Sequence, residues 1–273
     1  MKTVNSILLI GIVFFHWGCT KEIDPQTDFE PQIFIFGAIG NEPDNVTIGI
    51  QETVPLKDNT VKPIVNATIS LFTRDQSGDS SIVTNNFIGD NGFYTSAEIV
   101  NSVIGNYYWI EVNVPGYATF RSEAEQLKPV VPITEVTMDN NAARVTFTDP
   151  GNVTNLYYLD FGFYNGSNFL FNIFEASSDT LFDGNEDAFI ETDDVGGNRI
   201  RATLFNLNYG TFQFYLNLIA QDDSNNSDEE GDPGQLFATP PVNLTGNIVN
   251  TGTNRAALGN FGVVSISRFD QSF

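Results

Sequence analysis

The chain has 273 residues, with 34 acidic and 12 basic side chains, a formal net charge of -22 and an isoelectric point near 4.1. A surface so acidic repels phosphate backbones, which excludes nucleic acid as a partner. The one histidine, His16, and the one cysteine, Cys19, both lie at the amino terminus. The rest of the chain therefore holds no Ser-His-Asp triad, no Cys-His pair and no His/Cys zinc site.

Lys2 precedes an apolar run, Ile7 to Phe15. Its length suits a secretory signal, which wants about 7–15 apolar residues. It is too short for a membrane-spanning helix of roughly 20. Gly18-Cys19 closes the run with a small residue before a lone cysteine, the pattern of lipoprotein cleavage. Residues 1–18 are thus expected to be a signal peptide, and Cys19 to carry an acyl anchor. Several acyl chains on one cysteine would hold the protein at a membrane. Residues 19–31 include Pro25, Pro31 and several acids, and read as a flexible tether.

Beyond the tether the pattern is that of β-strands. Phenylalanine (24), tyrosine (9) and glycine (23) are abundant, which suits pleated sheets joined by turns. Residues 33–39 (IFIFGAI) and 46–50 (VTIGI) read as two strands around a Gly/Asn/Pro loop. In 66–73 (NATISLFT) the residues Ala67, Ile69 and Leu71 alternate on one face. Asn91-Gly92 marks a hairpin turn inside 86–94. Residues 106–114 (NYYWIEVNV) put Tyr108, Ile110, Val112 and Val114 on one face, with Trp109 opposite as core or interface filler. Residues 117–122 continue as strand, and the prolines of 128–133 (KPVVPI) close the first series.

A second series begins at 135–138. Residues 142–148 (AARVTFT) alternate, Asp149-Pro150-Gly151 turns, and 155–164 with 168–174 form a hairpin around Asn165-Gly166. Residues 199–205 and 210–219 are expected as a last pair of strands, with Phe212, Phe214, Leu216 and Leu218 sharing a face and Gln213, Tyr215 and Asn217 pointing outward. No stretch is read as a helix. The tail, 222–273, is expected to be loop-rich and to end in one strand, 261–267. The fold class is therefore all-β: two β-sandwich domains, residues 32–130 and 131–273, the second carrying the loop-rich C-terminal segment.

Two acidic runs are candidates for a hard cation such as Ca2+, which takes several carboxylate oxygens. One is Asp183, Glu186 and Asp187, with Glu191, Asp193 and Asp194 beyond. The other is Asp222 to Glu230, with oxygen side chains at Asp222, Ser224, Asn226 and Asp228. Neither completes an EF-hand loop. In the second run Ser227 stands where the sharp-turn glycine belongs, and Pro233 falls at the twelfth position. A solvated acidic loop is the better reading of both runs. Carboxylate pairs could hydrolyse glycosides, but acids are too frequent here for any pair to stand out.

The piece from Asn66-Ala67-Thr68-Ile69 through a polar turn to Asp90-Asn91-Gly92-Phe93-Tyr94 resembles an immunoglobulin- or prealbumin-type sandwich. Several short motifs, in order, resemble the DUF4249 family of Bacteroidota outer-membrane lipoproteins. They are Cys19-Thr20-Lys21-Glu22, Val65-Asn66-Ala67-Thr68-Ile69, Asn91-Gly92-Phe93-Tyr94, Asp149-Pro150-Gly151 with Tyr157-Tyr158, Leu181-Phe182-Asp183-Gly184, and Gly246-Asn247-Ile248 with Ala257 to Gly262. The resemblance implies an outer-membrane, surface-facing lipoprotein beside a TonB-dependent receptor. The expected function is a non-enzymatic accessory or ligand-binding subunit. A structural or adhesive surface protein is the alternative, and a carboxylate-based hydrolase is a weaker one.

Overall fold

The computed structural model describes residues 29–55, 60–139, 142–226 and 244–273, with residues 221–226 described by their backbone alone. The expected signal peptide, Cys19, most of the expected tether, Asp228 and the side chain of Asp222 lie outside the described residues. Strands β1 Ile33–Gly40, β2 Thr47–Glu52, β3 Lys62–Pro63, β4 Thr68–Arg74, β5 Ser80–Thr84, β6 Phe87–Asp90, β7 Phe93–Ser96, β8 Tyr107–Asn113, β9 Phe120–Ser122 and β10 Glu125–Gln126 make the first series. The second comprises β11 Ile133–Met138, β12 Ala143–Phe147, β13 Leu156–Asn165, β14 Asn168–Ser178, β15 Ala188–Thr192 and β16 Arg199–Leu207. Helix α1, Tyr209–Asn226, follows, and then β17 Thr245–Asn250 and β18 Arg255–Ser272.

The first series curls one sheet so that its two limbs face each other. Along it the order is β5-β4-β8-β9-β17-β18-β1-β2-β7-β6. The inward sets meet in one core: Ile35, Ile48 and Ile50 from one limb, Ile69, Leu71, Ile110 and Val112 from the other. These are the apolar positions that the alternation marks. Fully burying each such side chain stabilises by roughly 1.5–3 kcal/mol. Asn91 and Gly92 both take positive φ (46° and 84°), as a two-residue hairpin turn requires. A Cβ on Gly92 would stand 2.7 Å from the Pro63 ring and 2.9 Å from the Ile50 carbonyl oxygen, so no other residue fits. Trp109 is buried on the opposite face of β8, stacked on Phe72 at 5.4 Å with the Arg121 guanidinium over its ring.

The second core lies between two sheets. β11-β12-β15 form one. The other carries β14-β13-β16 and the C-terminal half of β18. Val145, Phe147, Phe161, Phe163, Ile200 and Leu204 fill the space between them. The packing partner changes from the first core at Leu127 to the second at Val131. β18 belongs to both cores. Its first half runs parallel to β1 (Phe34 beside Leu258, Gly40 beside Val264), and its second half runs antiparallel to β16. Pro31–Phe273 is accordingly one compact unit.

Two expectations are overturned. Residues 210–219 are not a strand but the body of α1. Phe212, Phe214, Leu216 and Leu218 do alternate, yet Phe212, Tyr215, Leu216 and Ile219 also follow the i, i+3, i+4, i+7 spacing of a helix face. That second set packs against Leu156, Tyr158, Leu207 and Val264, while Phe214 is buried beside it, stacked on Phe36 at 6.0 Å. Tyr215 is therefore not an outward residue: its ring lies 4.6 Å from that of Tyr158. The tail likewise holds more than one strand. β17 pairs with β9 and β18, and β18 runs for 18 residues, well past both ends of the expected 261–267. Its middle is apolar enough to read as strand, whereas its charged, Ser-rich end is set by pairing with β16.

Candidate functional site

Three carboxylates converge beside the second core. Asp149 follows β12, Asp179 opens a 3-10 turn (Asp179–Leu181) after β14, and Asp183 lies in the loop beyond. One oxygen from each falls within 4.8 Å of the others. Asp149 and Asp179 are buried and Asp183 is exposed. Two oxygens bound to one Ca2+ at about 2.4 Å can stand at most about 5 Å apart, so the spacing fits a single hard cation.

The surrounding loops are shaped to bring the acids together. Asp149 accepts hydrogen bonds from the Tyr157 hydroxyl and from the Gly184 amide (2.8 Å). Asp179 accepts from the Asn155 amide (2.6 Å), and Asp183 from the Asn152 amide (2.8 Å). Gly184 takes a φ of 75°, and a Cβ on Gly151 would stand 3.2 Å from its Cα, so the two loops touch backbone to backbone. Each carboxylate offers about four lone-pair sites, and these bonds use only part of that capacity. Burial, and then the bond to Asp149, push the Tyr157 hydroxyl far above the ordinary tyrosine range, so it stays a neutral donor. Lys128 donates to the Thr154 carbonyl (3.1 Å); burial pulls its pKa down, against the upward pull of Asp179 and then Glu125. Nothing in this arrangement supplies a nucleophile with a base. It can hold a cation or latch two loops.

The expected acidic residues divide. Asp183 is in the cluster. Glu186 and Asp187 sit just beyond it; the Glu186 carbonyl accepts from the Thr148 hydroxyl and the Asp187 amide donates to the Asn185 side chain. Glu191 instead pairs with Arg144 on the surface at 2.7 Å. Asp222 lies in α1, and Asp228 is outside the described residues. Sequence reasoning passed over Asp149 and Asp179. The first was legible only as a turn residue, and no spacing announces that the second will meet it.

A second buried carboxylate was also missed. Glu125 in β10 accepts from the Thr211 amide (3.3 Å), the Thr211 hydroxyl (2.8 Å) and the Val263 amide (3.2 Å). It thereby satisfies a free N–H in the first turn of α1, where a negative charge also meets the positive end of the helix dipole. Burial raises its pKa, and the bonds from Thr211, Val263 and Asn247 pull the other way.

Two surfaces expose apolar side chains. A groove of about 410 Å3 runs over the outer face of β1, β2 and β7, lined by Phe34, Phe36, Ile50, Val61, Pro63 and Phe93. Gln51 and Asn91 are its polar side chains, and no charged residue lines it among the described residues. Phe36 (41%), Phe93 (59%) and Val61 (73%) are strongly exposed. Elsewhere β14 pairs, among the described residues, only with β13, which leaves an 11-residue edge, NFLFNIFEASS, with a single charge, Glu175. Phe169 and Leu170 on it are exposed.

Residues 20–270 match the model of DUF4249, described as a domain of unknown function, and the chain belongs to that family. No curated protein matches it. Among solved structures it is similar to native Escherichia coli alpha-2-macroglobulin (12% identity, 67% of this chain and 13% of that one, TM-score 0.23). It is also similar to the FN1-FN3 domains of chicken CNTN1 (10% identity, 63% and 59%, TM-score 0.25). A third is the calcium binding domain CBD12 of CALX1.1 (10% identity, 86% and 98%, TM-score 0.20). The chain spans less than two thirds of the length of the first two.

Proposed function

We propose that this chain is a lipoprotein of the Bacteroidota outer membrane, anchored through Cys19 and facing the cell surface. It acts as a non-enzymatic accessory subunit of a TonB-dependent transporter. The carrying observation is the β14 edge. Eleven residues of open backbone with one charge are a template for strand addition by a protein partner. Natural sheets usually blunt such an edge with lysine, proline or a bulge; β14 has no lysine or proline, and its one bulge, at Leu170, leaves the run from Phe171 to Ser178 in regular register with β13. The family resemblance supports the location, and the missing histidine and thiol chemistry argues for binding over catalysis.

The test is affinity capture of the tagged, acylated protein from detergent-solubilised outer membrane, with mass spectrometry of what accompanies it. A stoichiometric TonB-dependent transporter is expected, and it should be lost with Phe169→Lys, which places a charge on the edge. A protein recovered alone would move the reading to a structural or adhesive surface protein. The Asp149, Asp179 and Asp183 cluster favours that second reading in one respect, since a bound Ca2+ there would stiffen the fold and leave ligand capture untouched.

A further inference from the structure

We infer that the apolar groove is the face on which the folded body rests against the bilayer, with Phe36, Val61 and Phe93 entering the acyl region. The inference rests on the lipid anchor at Cys19 proposed above.

The first reason is where the chain enters the fold. The Gln32 carbonyl accepts from the Thr53 amide (2.8 Å) and its own amide donates to the Thr53 hydroxyl (3.0 Å), which pins the start of β1 beside the end of β2. Ile33 pairs with Glu52, and Gln51 with Pro63. Phe34, Gln51 and Pro63 all line the groove, so it opens at the end of the sheet where the tether arrives.

The second reason is reach. From Cys19 to Phe34 is about 15 residues, at most about 50 Å when extended. A tether of that length keeps the entry end of the fold near the lipid at high effective concentration.

The third reason is charge. The net charge of -22 sets most of the surface against anionic headgroups. Among the described residues the groove has no charged lining residue, and it exposes two phenylalanines and a valine. It is the part of this end that can enter a bilayer without burying an ion. An interfacial contact of this kind reaches about 5–10 Å below the headgroups.

The test uses the acylated mature chain in phosphatidylcholine vesicles whose acyl chains carry bromine near the headgroup. Trp109 is the only tryptophan after the signal peptide and is buried against Phe72. The double variant Phe93→Trp, Trp109→Phe therefore places the single indole in the groove. Roughly twofold quenching by brominated lipid is expected, as for an indole within that interfacial depth. The wild-type indole should show almost none. If Trp109→Phe impairs folding, Phe93→Trp alone is compared with the wild type. Protein that floats with the vesicles while the groove indole stays unquenched would overturn the contact and leave the anchor standing. An indole that is blue-shifted yet unquenched would do the same and give the groove to a protein partner or a second copy. Protein that fails to float would overturn both.

Discussion

Glu125 shows how one side chain can join three elements. It lies in β10, yet it holds the first turn of α1 and the backbone of β18. Glu125→Ala would leave the Thr211 and Val263 amides buried without an acceptor, and should lower the unfolding free energy by about 2–4 kcal/mol in urea titrations. The sign of its pH dependence follows from burial. The folded pKa lies above the unfolded one, so protonation favours the folded state. That contribution is complete below the ordinary glutamate value of about 4.3 and is lost as pH rises through the folded value. Relative to Glu125→Gln, the wild type should gain stability as pH is lowered toward about 4. At the aspartate cluster, Ca2+ at about ten times a millimolar-class Kd should raise Tm by roughly 3–6 °C. The exposed Asp183→Asn variant should fold normally and lose that response, and an unchanged wild-type Tm on chelation would remove the cation from the site. Asp183 was legible as part of an acidic run. Asp149, Asp179 and Glu125 were not, because their roles depend on partners far away in sequence.

At the scale of elements, strand alternation was the most informative signal. Ile33, Ile35, Ile69, Leu71, Ile110 and Val112 all point inward as the two-residue period demands. The same alternation already set Phe34 and Phe36 outward, so the groove could have been suspected from IFIFGAI. The Asn91-Gly92 turn was readable because its backbone geometry admits few residues. α1 was not readable, for a physical reason. Phe212-Gln213-Phe214-Tyr215-Leu216 satisfies both periods, and a single sequence gives no way to weigh them. What decides is tertiary: the apolar outer face formed by Leu156, Tyr158, Leu207 and Val264, and the capping carboxylate of Glu125. The β17–β18 hairpin was obscured in the same way, since Asn, Thr and Gly dominate residues 245–254 and only pairing makes them strand.

At the scale of the whole molecule, β18 makes the two cores interdependent. Phe261 and Val263 belong to the first core, and Phe269 packs on the second. Melting either core would leave half of this strand without a partner. Unfolding should therefore be a single transition, with Trp109 fluorescence, which reports on the outer face of β8 in the first sheet, and far-UV circular dichroism coinciding. Phe163→Ala lies in the second core and should cost about 3–5 kcal/mol. It should shift the Trp109 signal as far as the dichroism; a Trp109 midpoint left in place would show that the cores melt separately.

The parallel pairing of β1 with β18 also carries a temporal consequence. Asn41, just after the first strand, exchanges hydrogen bonds with the backbone of Ile266, 225 positions away. A chain that leaves a ribosome or a translocon does so from its amino end, at about 5–20 residues per second during synthesis. The first strand is thus among the earliest segments delivered and among the last to be completed, because its partner arrives only with the carboxyl terminus. Contacts of such separation close slowly. Until that closure β1 has β2 on one side only, and its other edge stays open, which leaves the growing chain dependent on protection from aggregation meanwhile.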